Sequence, residues 1–333
     1  MTSHFTRHYF AMAVLFVAAA FVPALISGFY VQFIAKVLVL GTLAMALNLS
    51  VGFGGLVSLC HAAFFGLAGY MLVLTTPEYE VPNLGSSMVL ALGAVAACAT
   101  IIGALSLRTR GVYFIMVTLA FGEMLFFLFH DTDIGGGSDG IFLYVKPALS
   151  IAGTTLVDLE NPVVFYFAAL ITCAVCWALI SYLLSTPFGD ALTAARDNER
   201  RATALGIPVF RVRLIAFVLS AILAGAAGYL STAQFGFVAP QMLGWHLSAT
   251  ALVMVVLGGT RRVAGPLFGA ALLAALEDLL KTHVDEWKLA YGLIIILLVI
   301  FVPGGLQDLL RFVGGRDLIG RISSRPVTVE GRS

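Results

Sequence analysis

Charged residues divide the chain into long apolar runs. Tyr9–Ile26, Val37–Pro77, Ser87–Leu107, Pro162–Leu184 and Leu214–Thr260 carry no Asp, Glu, Lys or Arg, and Gly111–Phe129 carries only Glu123. A helix needs about 20 apolar residues to cross a hydrocarbon core. Val37–Pro77 is uncharged over 41 residues, which as one helix would be about 60 Å long, twice a bilayer. It must fold back, and Asn48-Leu-Ser-Val-Gly-Phe-Gly-Gly55 is the natural break. Leu214–Thr260 must also split, at Gly236, Pro240 and Gly244.

The pattern predicts ten spans: Tyr9–Ile26, 31–50, 56–74, Ser87–Leu107, Gly111–Phe129, Pro162–Leu184, 214–233, 245–258, Leu267–Leu280 and Leu289–Val302. The first could imitate a signal peptide. No small-residue cleavage site precedes the next apolar run, so a retained helix is expected. The eighth and ninth spans, 245–258 and Leu267–Leu280, are short, and Gly258-Gly-Thr-Arg-Arg-Val-Ala-Gly-Pro266 joins them. Broken helices lining a transport site and an ordinary tight hairpin both fit that joint.

Orientation follows from the basic residues. With a cytoplasmic N-terminus, 15 of the 19 Lys and Arg fall inside, and only Lys36, Lys146, Lys281 and Lys288 fall outside. The expected fold is therefore an all-α polytopic membrane protein with about ten transmembrane helices and both termini cytoplasmic. Residues 1–310 form the membrane domain, with a cytoplasmic loop at 185–213 and a periplasmic loop at 131–161. Residues 311–333, with Gly314, Gly315 and Pro326, form a flexible cytoplasmic tail.

Composition sharpens this picture. Hydrophobic residues make up 60% and charged residues 11% of the chain, and mean hydropathy is +1.00. A soluble globular protein carries about 25% charged residues, so a soluble enzyme and a disordered chain are both excluded. The net charge of +1 gives no general attraction to nucleic acid. Cys173 and Cys176 form a C-x-x-C, but no second ligand pair exists, and small lipid-buried residues are the expected reading.

Motifs for catalysis are missing. The chain has no G-x-x-x-x-G-K-[ST], G-x-S-x-G or H-E-x-x-H, so no catalytic, cofactor or metal residues are assigned and ATP hydrolysis must lie elsewhere. Gly135-Gly-Gly-Ser-Asp-Gly140 lacks the helix and Lys of a phosphate cradle. His4 and His8 have metal-like spacing, but they lie at a terminus expected to fray. Polar residues inside apolar helices are the candidates for a substrate path: Ser58, His61, Thr118 and Glu123. Each also has a plain packing role open to it. Ser58, Ala62 and Phe65 share one stripe by i, i+4, i+7 spacing, and Ala62, Gly66 and Gly69 allow a neighbouring helix to come close.

The loop 185–213 is the one cytoplasmic segment long enough to fold. It reads as helical after Pro187 and ends at Gly206, with Pro208 beyond. Ala191, Leu192, Ala195, Ala202 and Leu205 make an apolar face, and Arg196, Asp197, Glu199, Arg200 and Arg201 a polar one. Arg196, Glu199 and Arg200 share neighbouring turns, and Ala202 is expected to enter a partner's groove. A merely solvated loop obeying the charge rule is the other reading.

Several blocks in order carry a resemblance. They are Gly55–Gly66, Gly111–Met124, Gly136–Gly140, Thr186–Gly189, Arg196–Gly206, Gly258–Ala270 and Val302–Leu306. The chain resembles branched-chain amino-acid ABC transporter permeases of the LivM type over about residues 31–310. Cys60 stands where that pattern has a small residue, usually Gly, and the related urea permeases share the blocks. The resemblance implies a heterodimer with a LivH-type permease, two cytoplasmic ATPase subunits of the LivG/LivF type, a periplasmic substrate-binding protein, and a place in the bacterial inner membrane lipid. It implies that Arg196, Asn198, Glu199, Arg200, Ala202, Leu205 and Gly206 form the segment that docks on an ATPase. The implied cargo is leucine, isoleucine and valine, with urea or a short amide as the alternative. A proton-coupled carrier using Glu123 and an integral-membrane enzyme stay open as other classes.

Overall fold

The computed structural model describes residues 12–25, 28–76, 81–151, 154–260 and 262–301. The expectations for His4 and His8, for Arg261 in the Gly258–Pro266 joint, for the Val302–Leu306 block and for the tail 311–333 lie outside these residues. A helix stands in each apolar segment. In chain order they are α1 Met12–Leu25, α2 Gly28–Asn48, α3 His61–Leu74, α4 Leu84–Ser106, α5 Val112–His130 and α6 Pro162–Leu184. The series continues with α7 Pro187–Asp197, α8 Glu199–Ala204, α9 Val209–Phe235, α10 Trp245–Gly258, α11 Gly265–His283 and α12 Trp287–Phe301.

Among the described residues, six helical stretches are long and apolar enough to cross a membrane: Gly28–Phe53, Leu84–Ser106, Val112–His130, Pro162–Leu184, Val209–Phe235 and Pro240–Gly258. α1, α3 and α12 are apolar but shorter. α11 carries Glu277, Asp278 and Lys281 near its end, and Glu277 pairs with Lys36 of α2 at 3.7 Å. That ion pair escapes a reading by apolar runs, because Lys36 simply interrupts one and Glu277 ends another.

α9 is the axis of the bundle and packs against α2, α3 and α4. Its contact with α3 is made by backbone. A Cβ on Gly228 would lie 1.8 Å from the Phe65 carbonyl oxygen, so only glycine lets the two helices meet there. Of the most apolar window in α2, 78% of the residues are buried, against 22% in α5. α2 is therefore a core element, and α5 turns most of its surface outward.

The 131–161 segment is folded as well. β1 (Ile141–Phe142) pairs antiparallel with β4 (Phe237–Val238). β2 (Ala148–Ile151) forms an antiparallel hairpin with β3 (Thr154–Asp158). Gly136, Gly137 and Gly140 all have positive φ, so the glycine-rich run serves two short turns and a strand start.

Two sequence expectations are corrected by the backbone. The break in the first long apolar run does not lie at 48–55. The α2 helix continues through a π turn, Leu49–Phe53, and the chain is non-helical over 54–60 instead. The loop 185–213 also does not hold a single helix. Asn198 has φ −157° and ψ 98°, which ends α7, and its side chain starts α8 by accepting a bond from Arg201 N at 2.9 Å.

Candidate functional site

The stretch 54–60 is unwound between two apolar helices, so its peptide groups need partners from elsewhere. Leu56 N donates to Ser50 O at 2.9 Å, and Ser50 Oγ returns to Leu56 O at 3.3 Å. Leu59 N donates to Thr118 Oγ1 at 3.4 Å, and Cys60 N to Ser58 Oγ at 3.2 Å. The first turn of α3 leaves orphan N–H groups, and Ser248 of α10 takes one of them: Ala62 N lies 2.8 Å from Ser248 Oγ. Four hydroxyls, Ser50 of the π turn, Ser58 of the stretch itself, Thr118 of α5 and Ser248 of α10, thus replace a helical turn.

His61 begins α3 and is fully buried. Its Nε2 lies 2.6 Å from Ser220 Oγ, and Ser220 Oγ donates to Ala46 O at 2.6 Å. The single hydroxyl proton is committed to the carbonyl, so His61 donates from Nε2. Nδ1 is buried and accepts no bond from the protein. Phe64 and Phe217 face the ring edge-on at centroid distances of 5.9 and 5.6 Å. A histidine with one nitrogen spent and one acceptor free, between two aromatic rings, sits where the chain is unwound.

Ser58, His61 and Thr118 are therefore brought together at one joint, all fully buried. The helical stripe from Ser58 to Ala62 and Phe65 does not form, because Ser58 precedes the helix. Glu123 lies just beyond Gly122, whose α-carbon faces Cys60 and the Leu59 carbonyl. Its Oε1 accepts a bond from Trp245 N at 3.3 Å. A carboxylate at the start of α10 is well placed against the positive end of that helix. The hydroxyls Ser50, Ser220 and Ser248 were not singled out by sequence. Their only signal was polarity inside apolar runs, which is common to many helical serines.

A second constellation lies beside the first, where the loop 185–213 meets the π turn of α2. Glu199, the first residue of α8, is held by Arg110 Nη2 and Arg213 Nη1, each at 2.9 Å. Arg213 Nη2 also donates to Ala195 O at 3.0 Å. Arg196 Nη1 donates to Gly52 O at 2.6 Å, so α7 grips the π turn of α2 directly. The ladder of Arg196, Glu199 and Arg200 by helical spacing does not exist, because the chain bends at Asn198 between them. Ala202 does not face outward either. It is buried against Ala195 and Val209, where its small size serves the loop's own packing. Arg200, Leu205 and Gly206 are exposed, and Leu205 is 75% accessible.

Between the two constellations is a cavity of about 350 Å³, lined by Gly55, Leu56, Val57, Arg110, Ile115, Glu199 and Arg213 among others. It connects the start of the unwound stretch to the ion triad around Glu199.

A multi-helix apolar bundle with a buried unwound stretch and a braced polar loop is the architecture of a polytopic membrane permease. The family model described as "Branched-chain amino acid transport system / permease component" matches residues 29–302. The chain is 31% identical over 323 residues to the high-affinity branched-chain amino acid transport system permease protein LivM of Salmonella typhimurium, covering 91% of this chain and 75% of that one. Identity to the LivM protein of Escherichia coli is 30% with the same coverage. The autoinducer 2 import system permease protein LsrC of Klebsiella pneumoniae is 32% identical over 151 residues, 43% of this chain and 40% of that one. No solved structure matches significantly. The chain belongs to the family of branched-chain amino-acid transport permease components.

Proposed function

We propose that this chain is the permease subunit of an ATP-driven importer of branched-chain amino acids. It forms the membrane path together with a second, LivH-type permease in the inner membrane. A periplasmic binding protein delivers leucine, isoleucine or valine, and two cytoplasmic ATPase subunits drive release. The two LivM relatives carry branched-chain amino acid transport in their names, and 91% of this chain aligns with each. The observation that carries the reading at residue level is the unwound stretch 54–60 with its buried hydroxyls and the free acceptor of His61. Non-helical backbone inside a membrane bundle is tolerated where it is buried in protein or lines a path.

In this reading all ten apolar segments cross the bilayer and both termini are cytoplasmic. Ser58, His61, Thr118 and Glu123 border the path. α5 is more exposed than the core helices and also carries Glu123, so its open face is the side that meets the second permease. The bent loop 185–213 docks on an ATPase subunit through Arg200, Leu205 and Gly206. Arg196, Asn198, Glu199 and Ala202 brace it from beneath. The ATPases account for ATP hydrolysis, for which the sequence carries no nucleotide motif.

Reconstitution tests this directly. The purified transporter in proteoliposomes, given ATP inside and loaded binding protein outside, is expected to accumulate labelled leucine and to ignore urea. Uptake that needs a proton gradient and survives ATP removal would overturn it. The topology is tested by thiol labelling: Ser138→Cys and Thr203→Cys are expected to react from opposite sides of the membrane.

A further inference from the structure

We infer that the cavity between the unwound stretch and the Glu199 triad is a cytoplasmic-side subsite for a small zwitterion with an apolar body, an amino acid with an aliphatic side chain. This rests on the proposed function for the side of the membrane and the cargo class, but the chemistry stands on the cavity. Its volume, about 350 Å³, lies within the range of roughly 300–1,000 Å³ common to small-molecule sites. Leu56, Val57 and Ile115 give it an apolar wall, and Arg110, Glu199 and Arg213 give it a charged mouth.

The charges match a zwitterion. An α-amino acid presents a carboxylate and an ammonium one carbon apart, and the mouth presents a guanidinium and a carboxylate side by side, Arg110 and Glu199 at 2.9 Å. A simple anion would meet Glu199, and a simple cation would meet two arginines. The existing Arg110–Glu199 pair is weak, because the Arg110 side chain is 79% exposed. An entering amino acid exchanges that one pair for two charge-assisted contacts, its carboxylate on Arg110 and its ammonium on Glu199. Arg213, only 18% exposed, keeps Glu199 in place throughout. The aliphatic side chain then lies on Leu56, Val57 and Ile115.

The site also reports to the docking loop. Glu199 is the first residue of α8 and follows the bend at Asn198. A ligand that pulls Glu199 away from Arg110 acts on the element that carries Leu205.

The test uses the complete transporter in nanodiscs, with Val57→Cys as reporter in a chain whose four native cysteines are changed to alanine. The readout is the labelling rate by a charged thiol reagent. Leucine at about ten times its dissociation constant is expected to slow labelling about tenfold. Isovalerate, isopentylamine and glycine, each lacking one part of the match, and urea, lacking all of it, are expected to leave it unchanged. Arg110→Gln, at an exposed side chain that the fold does not need, and Glu199→Gln are expected to remove the protection. No protection by leucine, equal protection by isovalerate, or full protection in Arg110→Gln would overturn the subsite. ATP-driven uptake by the same protein reconstituted in proteoliposomes separates the two claims: leucine uptake without protection removes the subsite alone, and absent leucine uptake removes the proposed function.

Discussion

Two glycine-bearing breaks interrupt the apolar runs, one at 54–60 and one at 258–266, and they are built in opposite ways. The second is closed. A Cβ on Gly258 would lie 2.1 Å from Gly265 O, and one on Gly269 would lie 2.0 Å from Met254 O. α10 and α11 meet through bare backbone, so the joint is a tight hairpin, resting on α2 through Asn48 Nδ2 and Arg262 O at 2.9 Å. The first break is open. Its backbone is held by hydroxyls of Ser58, Thr118 and Ser248. Glycine content alone does not distinguish a hinge from a seam. What holds the backbone does: side-chain hydrogen bonds from other helices can let go one at a time, and a seam of backbone packed on backbone cannot.

The difference predicts a ranking of damage. At the closed joint, Gly258→Val has no room and α10 cannot stay against α11, so folded protein is expected to be nearly lost. The yield of monodisperse material after detergent extraction measures this, and normal yield would show that the seam is not made by backbone. At the open joint, Ser248→Ala leaves the Ala62 N–H unpaired at a cost of about 1–3 kcal/mol. Such protein is expected to insert and purify, with a lower melting temperature and weaker uptake. Equal melting temperatures would mean that the hydroxyl does not hold the joint. Glu123→Leu removes the acceptor for Trp245 N without touching the joint itself. Transport is expected to fall several-fold with unchanged insertion, and unaltered leucine uptake would remove Glu123 from the path. The smallest effect belongs to the loop. Asn198→Ala removes the cap of α8 and costs about 1 kcal/mol locally. Faster amide exchange at Arg201 is the expected sign, and unchanged exchange there would mean that the cap does not hold α8.

The helical segments were legible because hydropathy and charge repeat on the scale of a bilayer. Gly111–Phe129 maps closely onto α5 and Pro162–Leu184 onto α6. The open break was misplaced for a physical reason. Gly52, Gly54 and Gly55 permit a bend, but Thr118 and Ser248, far away in sequence, decide that the chain stays unwound to Cys60. The loop shows the same limit. Ala202 and Leu205 look alike as apolar positions, yet one is buried against Val209 and the other is open. Glu199 was read with its helical neighbours, whereas its partners are Arg110, just before α5, and Arg213, on α9. Ser58, His61 and Thr118 stand out in sequence because polarity inside apolar runs is visible there, and their convergence at one joint is not.

The central claim is that cargo passes along the open break and not along the hairpin. In the chain with its four native cysteines changed to alanine, Ser58→Cys and Thr260→Cys place one thiol at each joint. Each reconstituted transporter is treated with a small thiol reagent during ATP-driven turnover, and leucine uptake is then measured. The account predicts that modification at Ser58→Cys stops uptake and that leucine slows the reaction, while a modified Thr260→Cys still transports. Block at Thr260→Cys with normal uptake through a fully modified Ser58→Cys would contradict it.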